Sequence, residues 1–183
     1  MIIEANDESR RQATQKLFET CFSDLPHNAI PKLSDDHLYK PIILQYIDDA
    51  SGALAGAAMT LRAQIAVGHL TAEKMGMLSG ENPYRSALNK HSELDLMCVA
   101  PEYRRCGIGT KLIEQLDRRL RKRGVRVWFG CVTEDLEIDQ LRKFYSRHGF
   151  TVLENGQPLP PLLGRNWIMP DAEPPAFYFY KRL

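Results

Sequence analysis

Residues 94–116 read LDLMCVAPEYRRCGIGTKLIEQL. Three pieces follow one another there. Leu96-Met97-Cys98-Val99 is a short apolar run closed by Ala100-Pro101, which predicts a buried strand ending at that point. Ile108, Leu112, Ile113, Leu116 and Leu120 recur at helical spacing, which predicts a helix with one apolar face. Between them, Arg104, Arg105, Cys106, Gly107, Ile108, Gly109 and Thr110 make a basic turn with two glycines. A helix start leaves amide N–H groups unpaired and carries partial positive charge. Glycines let that backbone come close to a ligand, and two arginines add full charges. The combination fits an anion, most naturally a phosphate or pyrophosphate.

Glycine-rich patterns differ in which phosphate they hold. A P-loop needs G-x-x-x-x-G-K-[S/T], which the stretch lacks. A dinucleotide fingerprint needs G-x-G-x-x-G, and here Leu112 occupies the third glycine position, with no early βαβ unit before it. The remaining pattern is R-x-x-G-x-G at Arg104, Gly107 and Gly109.

The rest of the chain sets the limits. Its 183 residues suit a single domain over 1–183 with a sizeable core. Lys+Arg of 24 against Asp+Glu of 23 leaves almost no net charge, which argues against nucleic acid or a membrane surface as the main partner. No apolar run approaches the length of a membrane span, and the N-terminal residues lack a signal-peptide layout. Cys21, Cys98, Cys106 and Cys131 show no C-x-x-C spacing. They read as reduced thiols of a cytoplasmic protein, with neither metal nor disulfide.

Outward toward the N-terminus, residues 1–5 predict a short strand. Asp7 predicts the N-cap of a helix over 8–22, with Ala13, Leu17, Phe18 and Cys21 on one face. A short helix is expected over 33–39, capped by Ser34. Strands over 42–47 and 53–66 form an antiparallel hairpin around the turn at 48–52. Ala53, Ala55, Gly56, Ala57 and Ala58 crowd the second strand and predict a helix packed closely on it. Residues 67–92 read as a long loop with a short helix near 83–89.

Outward toward the C-terminus, the basic run at 118–123 suits a helix C-terminus facing solvent, and Gly124 caps it. A strand follows at 125–132, parallel to the earlier one if the crossover is an ordinary βαβ unit. A helix begins in 133–137, capped by Thr133 or Asp135, with Leu136, Leu141, Phe144 and Tyr145 on its apolar face, and ends at His148-Gly149. Strands at 150–154 and 176–183 are joined by a proline-rich loop whose Trp167 serves either as core or as a pocket wall.

Two marks in this frame carry a family resemblance. Val99, Pro101, Tyr103, Arg104, Gly107, Ile108, Gly109, Leu112 and Ile113 fit V-x-P-x-Y-R-x-x-G-I-G-x-x-L-[IL], and Phe144-Tyr145-Ser146-Arg147-His148-Gly149-Phe150 fits F-Y-x-x-x-G-F. Together they resemble the GNAT family, the Gcn5-related N-acetyltransferases. The resemblance spans roughly residues 93–150 and leaves the first 90 without a motif. It implies an α/β fold of the acyl-CoA N-acyltransferase type: a mixed, mostly antiparallel sheet with one splayed parallel strand pair, flanked by helices. It also implies acetyl-CoA as cosubstrate without a metal, direct transfer to a primary amine in a ternary complex, and a homodimer by family habit. The pantetheine arm falls to the backbone of Met97, Cys98 and Val99. The pyrophosphate falls to Arg104, Arg105, Cys106, Gly107, Ile108, Gly109 and Thr110.

The chemistry asks for a base on the amine and an acid on the departing thiolate. By resemblance Tyr145 is the acid. Glu93 and Asp95 are two apart at the strand start, so both side chains share a face opposite Leu94, Leu96 and Cys98. Glu93 matches the base position of the histone-acetylating branch, with Asp95 second. Cys106 at the helix start could favour a thiolate, but direct transfer is the family norm. By the same resemblance, Phe22, His27 and Tyr39 either face the acceptor or pack. Toxin-like acetylation of aminoacyl-tRNA and a non-catalytic acyl-CoA-binding module are the rival readings.

Overall fold

The computed structural model describes residues 1–133, 137–169 and 172–183. In chain order these form β1 (Ile2–Glu4), α1 (Glu8–Cys21), α2 (Asp36–Tyr39), β2 (Ile42–Ile47), β3 (Leu54–Leu61), α3 (Gln64–Lys74), β4 (His91–Val99), α4 (Ile108–Lys122), β5 (Val127–Val132), α5 (Ile138–Arg147), β6 (Thr151–Val152) and β7 (Phe177–Arg182). The strands pair in the order β1-β2-β3-β4-β5-β7-β6, with β4 and β5 parallel. The chain divides into two compact units, Met1–Leu61 with Leu94–Arg119, and Arg62–Glu93 with Leu120–Leu183.

In the first unit, β1 and β3 flank β2 in antiparallel register, Ile2 opposite Tyr46 and Gln45 opposite Ala57. The Asp7 carboxylate accepts from the Arg10 amide at 2.8 Å, the N-cap the sequence predicts. The buried face of α1 is Arg11, Thr14 and Phe18, and Ala13 is exposed, a correction to the expected stripe. Polar partners explain it. Gln45 on β2 donates to Thr14 Oγ1 and to the Arg10 carbonyl, both at 2.9 Å, and Arg11 forms a forked ion pair with Asp36 at 2.7 and 2.8 Å. Ser34 does not cap the following turn; its hydroxyl bonds Asp35 instead. Ala5, Phe18, Ile43, Met59 and Cys98 form the core of this unit. Within the basic run, Arg119 pairs with Glu4.

In the second unit, β5 and β7 pair antiparallel from Val127 opposite Arg182 to Val132 opposite Phe177, and β6 adds Thr151 opposite Tyr180. The last two strands are where the sequence places them, though β6 is shorter than expected. One face buries Val127 and Phe129 with Ala66, Tyr84, Leu162 and Trp167. The other carries Tyr145 of α5, which stacks on Phe179 at 3.9 Å and 13°.

One expected element is overturned. The strand predicted through residue 66 ends at Leu61, and Gln64–Lys74 is helical, so the loop expected from 67 begins as helix. Ala66 and Val67 are its buried residues. Gly68 interrupts that helix in sequence, and the small residues before it mimic a continuing strand. The 133–137 start also moves: α5 begins at Ile138, and Thr133 lies outside it. Asp135 and Leu136 lie outside the described residues.

Candidate functional site

β4 is a strand because Leu94, Leu96 and Cys98 alternate with more polar residues, and Leu96 and Cys98 pack on the first unit's core. Glu93 and Asp95 therefore share the other face. Met97, Cys98 and Val99 close the strand, and the Ala100 amide still bonds the Ala55 carbonyl of β3 at 3.0 Å.

The chain then makes the basic turn. Arg104 Nε donates to the Val99 carbonyl at 3.2 Å, folding the turn back on the strand end. Arg105 and Gly107 both adopt left-handed backbone, at φ +65° and +74°. That conformation costs a non-glycine residue about 1–2 kcal/mol. Arg104, Arg105, Cys106 and Gly107 are exposed, and Ile108 is buried as the first residue of α4. The Lys111 amide bonds the Gly107 carbonyl at 3.1 Å, which starts the helix there. Ile108 is anchored against β3: a Cβ on Gly56 would sit 3.0 Å from Ile108 Cγ2 and 3.1 Å from the Cys98 carbonyl oxygen. At Gly56 the small residue thus marks a close-packed helix, α4, while Ala57 shares a core cluster with Phe18 of α1. The arrangement is an exposed, positively charged cradle on a rigid base.

The proton-handling candidates lie along β4 and in the second unit. Asp95 is exposed, and partial desolvation by the atoms around its carboxyl raises its pKa to about 6. Glu93 is half-buried. Tyr145 is 6% exposed, and burial, reinforced by the nearby Cys131, raises its pKa. Its phenol therefore stays protonated at neutral pH, as an acid requires.

Two neighbours escape the sequence reading. Tyr178 lies opposite Cys131 in the β5–β7 register. Burial, then Cys131, then Glu93 push the Tyr178 phenol up. Alternation places each on a strand face, but only register sets Tyr178 opposite Cys131.

Several candidates fall elsewhere. Trp167 is core: its indole N–H donates to the Leu162 carbonyl at 2.8 Å and its ring lies 3.8 Å from that of His91. Phe22 and Tyr39 pack on the first unit's core, and His27 is exposed beside Glu19. Among the described residues, no group of three His, Cys, Asp or Glu is placed to hold a metal, and no helix is long and apolar enough to cross a membrane.

A model of the acetyltransferase (GNAT) domain matches residues 62–152, from the start of α3 to β6. Residues 62–152 belong to the GNAT acetyltransferase family. Among solved structures, a GNAT-family acetyltransferase from Staphylococcus aureus Mu50 is similar over 100% of this chain and 98% of its own, at 17% identity and TM-score 0.65. An aminoglycoside 6'-N-acetyltransferase complexed with coenzyme A is similar over 100% and 96%, at 14% identity and TM-score 0.60. The ribosomal-protein-S18-alanine N-acetyltransferase of Escherichia coli is similar over 100% and 94%, at 18% identity and TM-score 0.52. At such identities the likeness establishes the GNAT fold. No curated protein matches the chain significantly.

Proposed function

We propose that the protein transfers the acetyl group of acetyl-CoA to a primary amine by direct attack in a ternary complex. The observation that carries this reading is the exposed cradle from Arg104 to Thr110, with left-handed backbone at Arg105 and Gly107 and the start of α4 behind it. Such a cradle suits the pyrophosphate of coenzyme A. The coenzyme A bound in the aminoglycoside acetyltransferase, a GNAT-fold neighbour, supports the same ligand class. The pantetheine arm is assigned to the backbone of Met97, Cys98 and Val99. The neighbours match across the whole chain, which supports reading 1–183 as one acetyltransferase domain. The absence of C-x-x-C spacing among the four cysteines is the ground for proposing a reducing, cytoplasmic setting.

Asp95 takes the amine proton in this scheme. Its pKa of about 6 lies close to working pH, where a base combines adequate strength with the ionised form. Glu93 then lines the acceptor side with Tyr178. Tyr145 returns a proton to the departing thiolate. Thiol release from acetyl-CoA, followed with a panel of polyamines, aminoglycosides, amino acids and peptide N-termini, tests the proposal. Turnover on at least one amine supports it. Tight acetyl-CoA binding without turnover on any amine, peptide or aminoacyl-tRNA would make the protein a binding module.

A further inference from the structure

Two thiols in the first unit are not used by the acetyl-transfer scheme. Cys21 is the last residue of α1 and Cys98 the next to last of β4. Cys98 belongs to the buried core cluster, and half-buried Cys21 packs against that cluster. Within that cluster each thiol is the leading influence on the other's titration, which sets the two side by side. We propose that Cys21 and Cys98 form an oxidisable dithiol, a modification site that a hydroperoxide converts to an intramolecular disulfide.

The pair is chemically unequal. The neighbouring Cys98 thiol and the charge of Arg104 favour the Cys21 thiolate, against burial and Glu102. The neighbouring Cys21 and burial hold Cys98 as a thiol. Cys21 is therefore the sulfur that reacts first, because the thiolate is the nucleophile. Its electron pair attacks one peroxide oxygen and the O–O bond breaks. Cys21 becomes a sulfenic acid, and the other oxygen leaves as water or an alcohol after taking a proton. Cys98 then attacks the Cys21 sulfur and expels hydroxide, which leaves as water with the Cys98 proton. Two thiols lose two electrons and two protons, the peroxide is reduced, and the new bond ties the end of α1 to β4.

The test uses the reduced full-length chain, treated briefly with near-stoichiometric hydrogen peroxide, alkylated and mapped without reduction. The expected product is a Cys21–Cys98 linked peptide, reversed by dithiothreitol, while the exposed thiols Cys106 and Cys131 remain available to the alkylating agent. In Cys98→Ser, Cys21 stops at the sulfenic acid and is captured by dimedone. If that variant does not fold, the wild-type map alone decides. Oxidation of Cys106 or Cys131 ahead of Cys21, or a disulfide joining any other pair, overturns the proposal.

Discussion

Asp95 sets chemistry against stability in one side chain. Crowding lifts its pKa from an ordinary 3.8 to about 6. Between those values the unfolded chain is ionised and the folded one protonated, so this group's contribution to stability falls as pH rises through that window and stays reduced above it. Asp95→Asn is therefore expected to raise the thermal midpoint at pH 7 while lowering kcat by about 10²-fold or more. In the wild type, kcat/KM should fall as pH drops through about 6, because the protonated carboxyl cannot accept the amine proton. Glu93→Gln should keep that limb. If Glu93→Gln erases the limb and Asp95→Asn preserves it, Glu93 is the base. Tyr145→Phe separates chemistry from packing in a different way. Phenylalanine keeps the stack on Phe179, so the melting temperature and the KM for acetyl-CoA should hold while kcat drops by about 10²-fold. An unchanged kcat would remove Tyr145 from the acid role.

At the scale of elements, the contact between β3 and α4 positions the cradle. Gly56→Ala places a methyl group 3.0 Å from Ile108 Cγ2 and 3.1 Å from the Cys98 carbonyl oxygen. Overpacking of this kind costs about 1–3 kcal/mol, and the strain falls on the first residue of α4. The expected result is a lower thermal midpoint together with weaker acetyl-CoA binding, read by titration calorimetry. Gly107→Ala is the companion: nothing lies within 4 Å of its new Cβ, so its cost is left-handed backbone at φ +74° alone. If both variants bind acetyl-CoA as the wild type does, the turn is not the pyrophosphate cradle. The same contact shows what the sequence made legible. Small residues on β3 marked a close-packed helix there, and the apolar spacing of Ile108 to Leu120 marked α4, but not that the two meet. α3 was hidden because Gly68 and alternating small residues erase its period, and Tyr178 was missed because pairing register is a long-range property.

For the molecule as a whole, acid stability turns on His91, a residue no motif marked. It is buried, its Nε2 accepts from the Ala63 amide at 3.1 Å, and its Nδ1–H donates to the Ala87 carbonyl at 2.8 Å. Those bonds fix a neutral tautomer between the start of α3 and the start of β4, stacked near Trp167 and Phe129. Burial chiefly, with the nearby Arg62 cation, lowers its pKa from 6.5 to about 4, against the opposing Ala87 bond. Between those values the unfolded chain binds a proton that the folded chain refuses. The contribution is complete above pH 6.5 and is lost as pH falls toward 4, a loss of about 3 kcal/mol. Asp95 acts with the opposite sign across much of that window, so the measurement belongs in an Asp95→Asn background. There, urea unfolding from pH 7 to pH 4.5 should show a steep fall in stability with His91 in place. His91→Phe should start lower, because the Ala63 amide and Ala87 carbonyl lose their partner at about 1–3 kcal/mol, but its profile should be flatter. An equal acid slope in both proteins would mean that another group governs acid unfolding.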